Sequence, residues 1–91
     1  MKIQKVGVLG GGLMGSGIAQ VCAGAGYSTI VREVSDVLCQ KARANIDKTL
    51  SKGMEKGKVT AEQRTDTLGR LSFVTDVSAL RDCDIVIEAV V

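Results

Sequence analysis

Residues 3–26 read IQKVGVLGGGLMGSGIAQVCAGAG, and this stretch decides the fold. Its beginning, residues 3–9, is a short apolar run with β-branched members, which predicts a strand buried on both faces. The run stops at three consecutive glycines, and the small and apolar residues after them predict a helix that packs tightly on a sheet. Gly24 and Gly26 end this helix, because glycine is common just past a helix C-terminus.

The next part of the chain predicts a strand and a long helix. Residues 27–33 read YSTIVRE and predict the second strand. Ser35 is a suitable N-cap for a helix. Apolar residues then recur at every fourth position: Leu38, Ala42, Ile46, Leu50 and Met54. Gly53 weakens this helix and Gly57 stops it.

The last part of the chain predicts a short helix and two more strands. Thr60 stands three residues before Gln63, which is the spacing of a capping box. The helix that it starts should run to about Leu68, with Gly69 as its stop. Three segments follow: a strand over 71–75, a turn or short helix over 76–81, and a strand over 84–91.

This order of elements places the chain in the α/β class. Strands that alternate with helices predict a parallel sheet with helices on both faces, and right-handed crossovers place the second strand beside the first. We therefore expect one domain over residues 1–91, a Rossmann-type sheet truncated after its fourth strand. No linker or repeat divides the chain.

The glycine-rich turn fits the pattern G-x-G-x-x-G directly after a strand and at the start of a helix. Gly10 permits the tight turn, Gly12 lets the backbone approach a pyrophosphate, and Gly15 lets the helix pack close to the strand. Unpaired N–H groups at the helix start favour an anion. The predicted cofactor contacts in this turn are Gly10, Gly11, Gly12, Leu13, Met14 and Gly15.

An acidic residue, Glu33, closes the second strand 18 residues after Gly15. A carboxylate there can accept hydrogen bonds from both ribose hydroxyls of adenosine and repels a 2′-phosphate, so the sequence predicts NAD rather than NADP. Three alternatives stay open: a turn without a ligand, Glu33 as a solvated acid, and neighbouring Arg32 as a reader of the NADP phosphate. Strand alternation predicts that Arg32 and Glu33 point to opposite faces.

The composition excludes several classes of protein. The chain has 91 residues, 45% of them hydrophobic and 24% charged, which excludes intrinsic disorder. A net charge of +2 and only two aromatic residues, Tyr27 and Phe73, argue against a nucleic-acid partner. The apolar runs are too short for a membrane span and no signal peptide is visible, so we expect no membrane partner and a cytoplasmic location.

Histidine and cysteine usage limits the chemistry of this chain. There is no histidine, so no histidine base or histidine metal ligand is available. Three cysteines, Cys22, Cys39 and Cys83, lack metal-ligand spacing and predict buried, reduced thiols. We therefore expect neither a metal site nor a catalytic residue here.

Residues 5–20 resemble the start of the 3-hydroxyacyl-CoA dehydrogenases. Four other segments also resemble that family: Gly26-Tyr27, Arg32-Glu33, the lysine-rich residues 55–58, and residues 84–91. The resemblance covers essentially the whole chain and implies hydride transfer between NAD and C3 of an acyl-CoA. Glu33 departs from the family, which usually has aspartate at this position.

The resemblance also implies which residues touch ligands and which are missing. Proteins of this family are much longer, and their catalytic histidine, its glutamate partner and the helical domain that makes the dimer lie beyond Val91. We therefore expect a homo-oligomer for the full-length protein. Ala89 and Val90 match positions beside the cofactor, and Thr49 and Lys56 match positions that contact the phosphates of CoA.

A row of lysines follows one face of the long helix beside Thr49: Lys48, Lys52 and Lys56. Such a row suits a phosphorylated nucleotide as a set of point charges. A solvated helix face is the alternative, which the interspersed Asp47 and Glu55 favour. For the whole protein, a dehydrogenase of another 3-hydroxy acid and a non-catalytic nucleotide-sensing module stay open beside the acyl-CoA dehydrogenase.

Overall fold

The computed structural model describes residues 2–10 and 12–89. The elements are β1 (Lys5–Leu9), α1 (Leu13–Gly24), β2 (Ser28–Arg32), α2 (Asp36–Glu55), α3 (Ala61–Gly69), β3 (Leu71–Val74), a 3-10 helix (Val77–Leu80) and β4 (Ile85–Glu88). The strands form one parallel sheet in the order β3-β2-β1-β4. The predicted α/β class, element order and neighbouring first two strands are confirmed. The predicted end of the last strand, at Val90 and Val91, lies outside the described residues.

The central strand β1 is covered on both faces, as predicted. Val6 and Val8 are buried in the same core cluster as residues of α1, α2 and β2. A side chain at Gly7 would meet Leu80 at 2.9 Å and Cys83 at 3.1 Å. The absence of a side chain at Gly7 therefore lets the 3-10 helix and the following turn pack directly on the opposite face of β1.

Small residues bring α1 close to the sheet. Its buried positions are Gly15, Ser16, Ala19 and Ala23. The helix ends where Gly26 takes a φ of +106°, a left-handed conformation that favours glycine. The sequence located this end correctly, although Gly24 is still the last helical residue.

The buried stripe of α2 differs from the predicted one at its ends. Buried residues are Cys39, Ala42, Ile46 and Leu50. Leu38 is only half-buried and Met54 is 38% exposed. A strict four-residue repeat rotates by about 40° per step around a helix of 3.6 residues per turn, so its outer members leave the core-facing side. Cys39 takes the position that Leu38 was predicted to fill.

The connection between α2 and α3 shows a packing role for Gly53. A side chain at Gly53 would come within 2.7 Å of Val59, which folds back on the helix. Gly57 ends the α2 region with a φ of +72°. The predicted capping box is confirmed, since the Gln63 N–H donates to Thr60 Oγ1 at 3.0 Å and the Thr60 N–H donates to Gln63 Oε1 at 2.9 Å.

The three cysteines carry free thiols, with Cys39 buried and the other two half-buried. The prediction of buried thiols therefore holds fully for one of them. No helix within the described residues is long and apolar enough to cross a membrane.

Asp84 ties the start of β1 to β4 and makes stability depend on pH. Its Oδ2 accepts hydrogen bonds from the N–H groups of Gln4 at 2.8 Å and Lys5 at 2.9 Å, and these bonds lower the pKa of the carboxyl below its ordinary value. Because the folded chain holds this proton less tightly than the unfolded chain, the stabilisation is complete above the ordinary pKa. It is lost as the pH falls through the lowered one.

Asp84→Asn is therefore expected to lower the melting temperature at pH 7 and to lower it less near pH 3. Thermal unfolding followed by circular dichroism across this pH range measures the difference. Asp82→Asn, at an exposed neighbouring acid, is the matched control. A deficit of Asp84→Asn that is equally large at both pH values would contradict this account.

Candidate dinucleotide-binding site

The predicted cofactor residues meet at the carboxyl ends of the parallel strands. A cavity of about 350 Å³ lies there, bordered by Leu9, Gly10, Gly12, Arg32, Glu33, Val34 and Ala89. These residues come from the ends of β1, β2 and β4 and from the turn before α1. In open parallel sheets, ligands bind in the crevice outside this edge.

The turn between β1 and α1 is closed by close backbone packing. Gly10 has a φ of +99°, and its N–H donates to the Arg32 carbonyl at 3.0 Å. A side chain at Gly15 would stand only 1.7 Å from the Gly10 carbonyl oxygen. Glycine is therefore required at both positions by the protein's own backbone.

Gly12 is a glycine for a different reason. Its φ of −68° and ψ of −166° are extended values that other residues also adopt. A side chain built there would meet nothing within 4 Å. Neither strain nor packing explains a glycine at this position, and the space above it is left open at the edge of the cavity.

The N-terminus of α1 differs from those of the two other α-helices. Ser35 Oγ accepts from the Leu38 N–H at the start of α2, and Thr60 Oγ1 caps α3 in the same way. Gly12 provides no side-chain cap for α1, and its first turn holds no acidic residue. The N–H groups of this turn can therefore bind an external anion, which the helix dipole also favours.

Leu13 and Met14 open α1 but are not among the residues that border this cavity. Their side chains are 88% and 53% exposed. Both border a separate apolar hollow on the outside of α1, together with Gly17, Val21 and neighbouring residues. The sequence pattern placed both residues at the turn but could not distinguish backbone from side-chain participation.

Glu33 is positioned by the sheet, and its carboxylate has no partner among the described residues. Its N–H donates to the Val74 carbonyl at 2.9 Å, which extends the pairing of β2 with β3. Within the described part of the chain, no hydrogen bond or ion pair involves its carboxylate oxygens. Such a carboxylate can accept two hydroxyl hydrogens from a ribose.

Arg32 borders the same cavity as Glu33. The alternation of side chains along the strand, which predicts opposite faces for the two residues, therefore does not exclude Arg32 from the surroundings of the site. Its Nε donates to the backbone carbonyl of Thr75 at 2.9 Å. That bond was not predictable from the local pattern, because 43 positions of sequence separate the two residues.

Ala89 lies beside the turn before α1, where a Cβ built on Gly15 would stand 3.5 Å from the Ala89 Cβ. Its N–H donates to the Leu9 carbonyl at 2.8 Å, and it is buried. Leu9 and Val34 also border the cavity, and sequence reasoning missed both as site residues. Their position immediately before the glycines and immediately after Glu33 was the available signal. The predicted contacts Gly11 and Val90 lie outside the described residues.

Thr49 and Lys56 lie on α2 and do not border this cavity. Both are exposed, and the Thr49 hydroxyl donates to the Asn45 carbonyl one turn earlier at 2.9 Å. Lys56 follows the last helical residue as the C-cap. Asp47, which was thought to offset the lysine row, instead forms an ion pair with Arg64 of α3.

A larger cavity lies elsewhere, at the amino ends of β1 and β2. It measures about 750 Å³ and is bordered by residues 2–4 and 25–28. It has neither a helix N-terminus nor an acidic side chain among these residues. Size alone therefore does not identify the functional site.

The fold and the site together define a dinucleotide-binding domain of the Rossmann class. The family described as "3-hydroxyacyl-CoA dehydrogenase, NAD binding domain" matches residues 5–91. The chain belongs to this family, whose cofactor is NAD, and the resemblance seen in the sequence is confirmed.

Individual relatives agree with this assignment. The 3-hydroxybutyryl-CoA dehydrogenase of Mycobacterium tuberculosis is 48% identical over 89 residues, which are 98% of this chain and 31% of the relative. The crystal structure of M. tuberculosis FadB2 matches with a TM-score of 0.98 at 47% identity, covering 100% of this chain and 32% of that one. A glyoxysomal fatty acid beta-oxidation multifunctional protein of Brassica napus is 39% identical, over 99% of this chain and 12% of the relative. The chain thus spans about a third of the bacterial relatives and less of the plant one.

Proposed function

We propose that the complete protein is an NAD-dependent dehydrogenase of 3-hydroxyacyl-CoA thioesters, and that this chain holds the cofactor. The open space at Gly12, above an uncapped helix N-terminus and bordering the cavity of Glu33, carries the proposal. The names of the bacterial relatives support 3-hydroxybutyryl-CoA as a substrate.

Each part of the site has a proposed role. The first-turn N–H groups of α1 bind the pyrophosphate, and Gly12 leaves it room. Glu33 holds the adenosine ribose, Leu9 and Ala89 form the wall along the sheet edge, and Val90 is proposed as a further cofactor contact on the basis of the family resemblance alone. When bound, NAD supplies the hydride acceptor for the oxidation at C3 of the substrate. The residues of this chain bind and orient the cofactor, and we assign no catalytic residue to it.

Thr49 and Lys56 are proposed to contact the phosphates of CoA. Both are exposed on α2, and the lysines of this helix are not offset by Asp47, because Arg64 already pairs with that carboxylate. A phosphorylated nucleotide would therefore meet a row of lysines that only Glu55 still offsets.

Two properties of the complete protein stay expectations. We expect a homo-oligomer, on the basis of the family resemblance alone. We also expect the cytoplasm as its compartment, because the described cysteines are free thiols. The glyoxysomal relative of Brassica napus shows that the family occurs in organelles as well.

The full-length protein is expected to reduce NAD with 3-hydroxybutyryl-CoA and not with free 3-hydroxybutyrate. Lys56→Ala should raise the Michaelis constant for the thioester about fivefold and leave that for NAD unchanged, since a screened charge contact contributes roughly 1 kcal/mol. Steady-state measurement of NADH formation tests both statements.

Lys41→Ala is the matched control, because this exposed lysine lies about 20 Å further along the same helix. Equal turnover of the free acid would favour a dehydrogenase of another 3-hydroxy acid. An absence of turnover despite NAD binding would favour a nucleotide-sensing protein. Unchanged thioester kinetics in Lys56→Ala would leave the lysine row as a solvated helix face.

A further inference from the structure

Among the described residues that border the cavity of Glu33, Arg32 is the one with a positive charge. It closes β2, where it stands opposite Val74 of β3. Its Nε donates to the carbonyl of Thr75, the residue directly after β3, at 2.9 Å. The guanidinium is thereby attached to the turn between β3 and the 3-10 helix.

The same turn carries a negative charge. Asp76 Oδ1 accepts from the Ser78 N–H at 2.9 Å at the start of the 3-10 helix. Hydrogen bonds from Ser78 lower the pKa of the Asp76 carboxyl, and the positive charge of Arg32 adds to this effect. Asp76 is therefore ionised at neutral pH. Within the described residues no ion pair joins Asp76 to Arg32, so its charge attracts Arg32 towards this turn only through space.

A free arginine in this position would have a definite chemical consequence. The guanidinium group is suited to bidentate binding of phosphate. An arginine near the end of the second strand accommodates the 2′-phosphate of NADP in dinucleotide-binding folds. Arg32 is a suitable residue type in a suitable position for this role, but its Nε donates to the Thr75 carbonyl.

We propose that the Thr75 carbonyl and the Asp76 carboxylate hold Arg32 away from the ribose, which makes this contact a second determinant of the preference for NAD over NADP. The inference rests on the proposed cofactor site. Glu33 repels the 2′-phosphate, and the contact withholds the cation that could compensate for that repulsion.

The test uses the full-length protein carrying Glu33→Gln, in which the repulsion is removed. Adding Asp76→Asn removes the charge but keeps an oxygen that can accept from the Ser78 N–H. The double variant should bind NADP about fivefold more tightly than Glu33→Gln alone, with NAD affinity unchanged. A third change, Arg32→Ala, should cancel this gain. Calorimetric titration with both cofactors measures all these affinities.

Asp82→Asn in the same background is the matched control. Asp82 is exposed and stands two residues before Asp84, which binds the start of β1 at the opposite end of the sheet. This substitution makes the same change in net charge, so it should leave NADP affinity unchanged.

Equal NADP affinity with and without Asp76→Asn would overturn the inference, as would a gain that survives Arg32→Ala. These results are distinguishable from a failure of the proposed cofactor site. If the wild-type protein does not bind NAD, or if Glu33→Gln does not weaken NAD binding, the proposed cofactor site is wrong. The inference about Arg32 is then wrong as well. If Glu33→Gln weakens NAD binding but Asp76→Asn has no effect on NADP, only the role of the Arg32 contact is wrong.

Discussion

Glu33→Ala is expected to weaken NAD binding by about ten- to a hundredfold and NADP binding far less. The Glu33 carboxylate has no partner within the described residues, so its oxygens are available to both ribose hydroxyls. Hydrogen bonds to a charged group contribute roughly 1.5–3 kcal/mol, which corresponds to that loss of affinity. Removing the negative charge also removes the repulsion of a 2′-phosphate.

Calorimetric titration of both cofactors against the wild-type protein and Glu33→Ala measures this effect. Glu33→Asp keeps the charge with a shorter side chain and should retain most of the preference for NAD. Asp82→Ala removes an exposed acid at the opposite end of the sheet and is a control for net charge. An unchanged NAD-to-NADP affinity ratio in Glu33→Ala would show that another group reads the ribose.

Gly12→Val is expected to reduce NAD affinity by more than about a hundredfold while the protein stays folded. The backbone at Gly12 is extended, and an added Cβ would meet no atom within 4 Å beyond its chain neighbours, so we expect only the modest loss of stability of a less favourable N-cap residue. The added side chain would fill the space proposed for the pyrophosphate. Loss of these charge-assisted contacts at a helix N-terminus accounts for the large effect.

Two other glycines provide controls for Gly12→Val. A Cβ at Gly69 would also meet nothing within 4 Å, and this residue lies at the end of α3, away from the site, so Gly69→Val should leave NAD affinity unchanged. Gly15→Ala should instead destabilise the fold, because its methyl group would overlap the Gly10 carbonyl. Retained NAD affinity in Gly12→Val would contradict the proposed position of the pyrophosphate.

The sequence predicted most of the fold because its signals are local. Ser35 and Thr60 marked the starts of α2 and α3 in the sequence, and in the structure their side chains cap these helices. The glycine pattern and Glu33 were likewise sufficient to locate the site, because the carboxyl ends of neighbouring parallel strands must meet at one edge.

The features that could not be predicted depend on contacts between distant segments. The Arg32 bond to Thr75 requires the pairing of β2 with β3, and the ion pair between Asp47 and Arg64 requires the packing of α2 on α3. A glycine is needed at position 53 because Val59 folds back on the helix, and this contact is visible only in the structure. Cys39 is buried where Leu38 was predicted to be, because a helix has 3.6 residues per turn and a four-residue repeat only approximates that period.

Hydrogen exchange of the full-length protein with and without NAD, read by mass spectrometry, tests the central claim most directly. If the turn after β1 and the end of β2 hold the cofactor, NAD should slow exchange in residues 10–16 and 32–35. Residues 2–4 and 25–28, around the larger cavity at the other end of the sheet, should be unaffected. Protection confined to that larger cavity, or no protection over residues 10–16, would contradict the account.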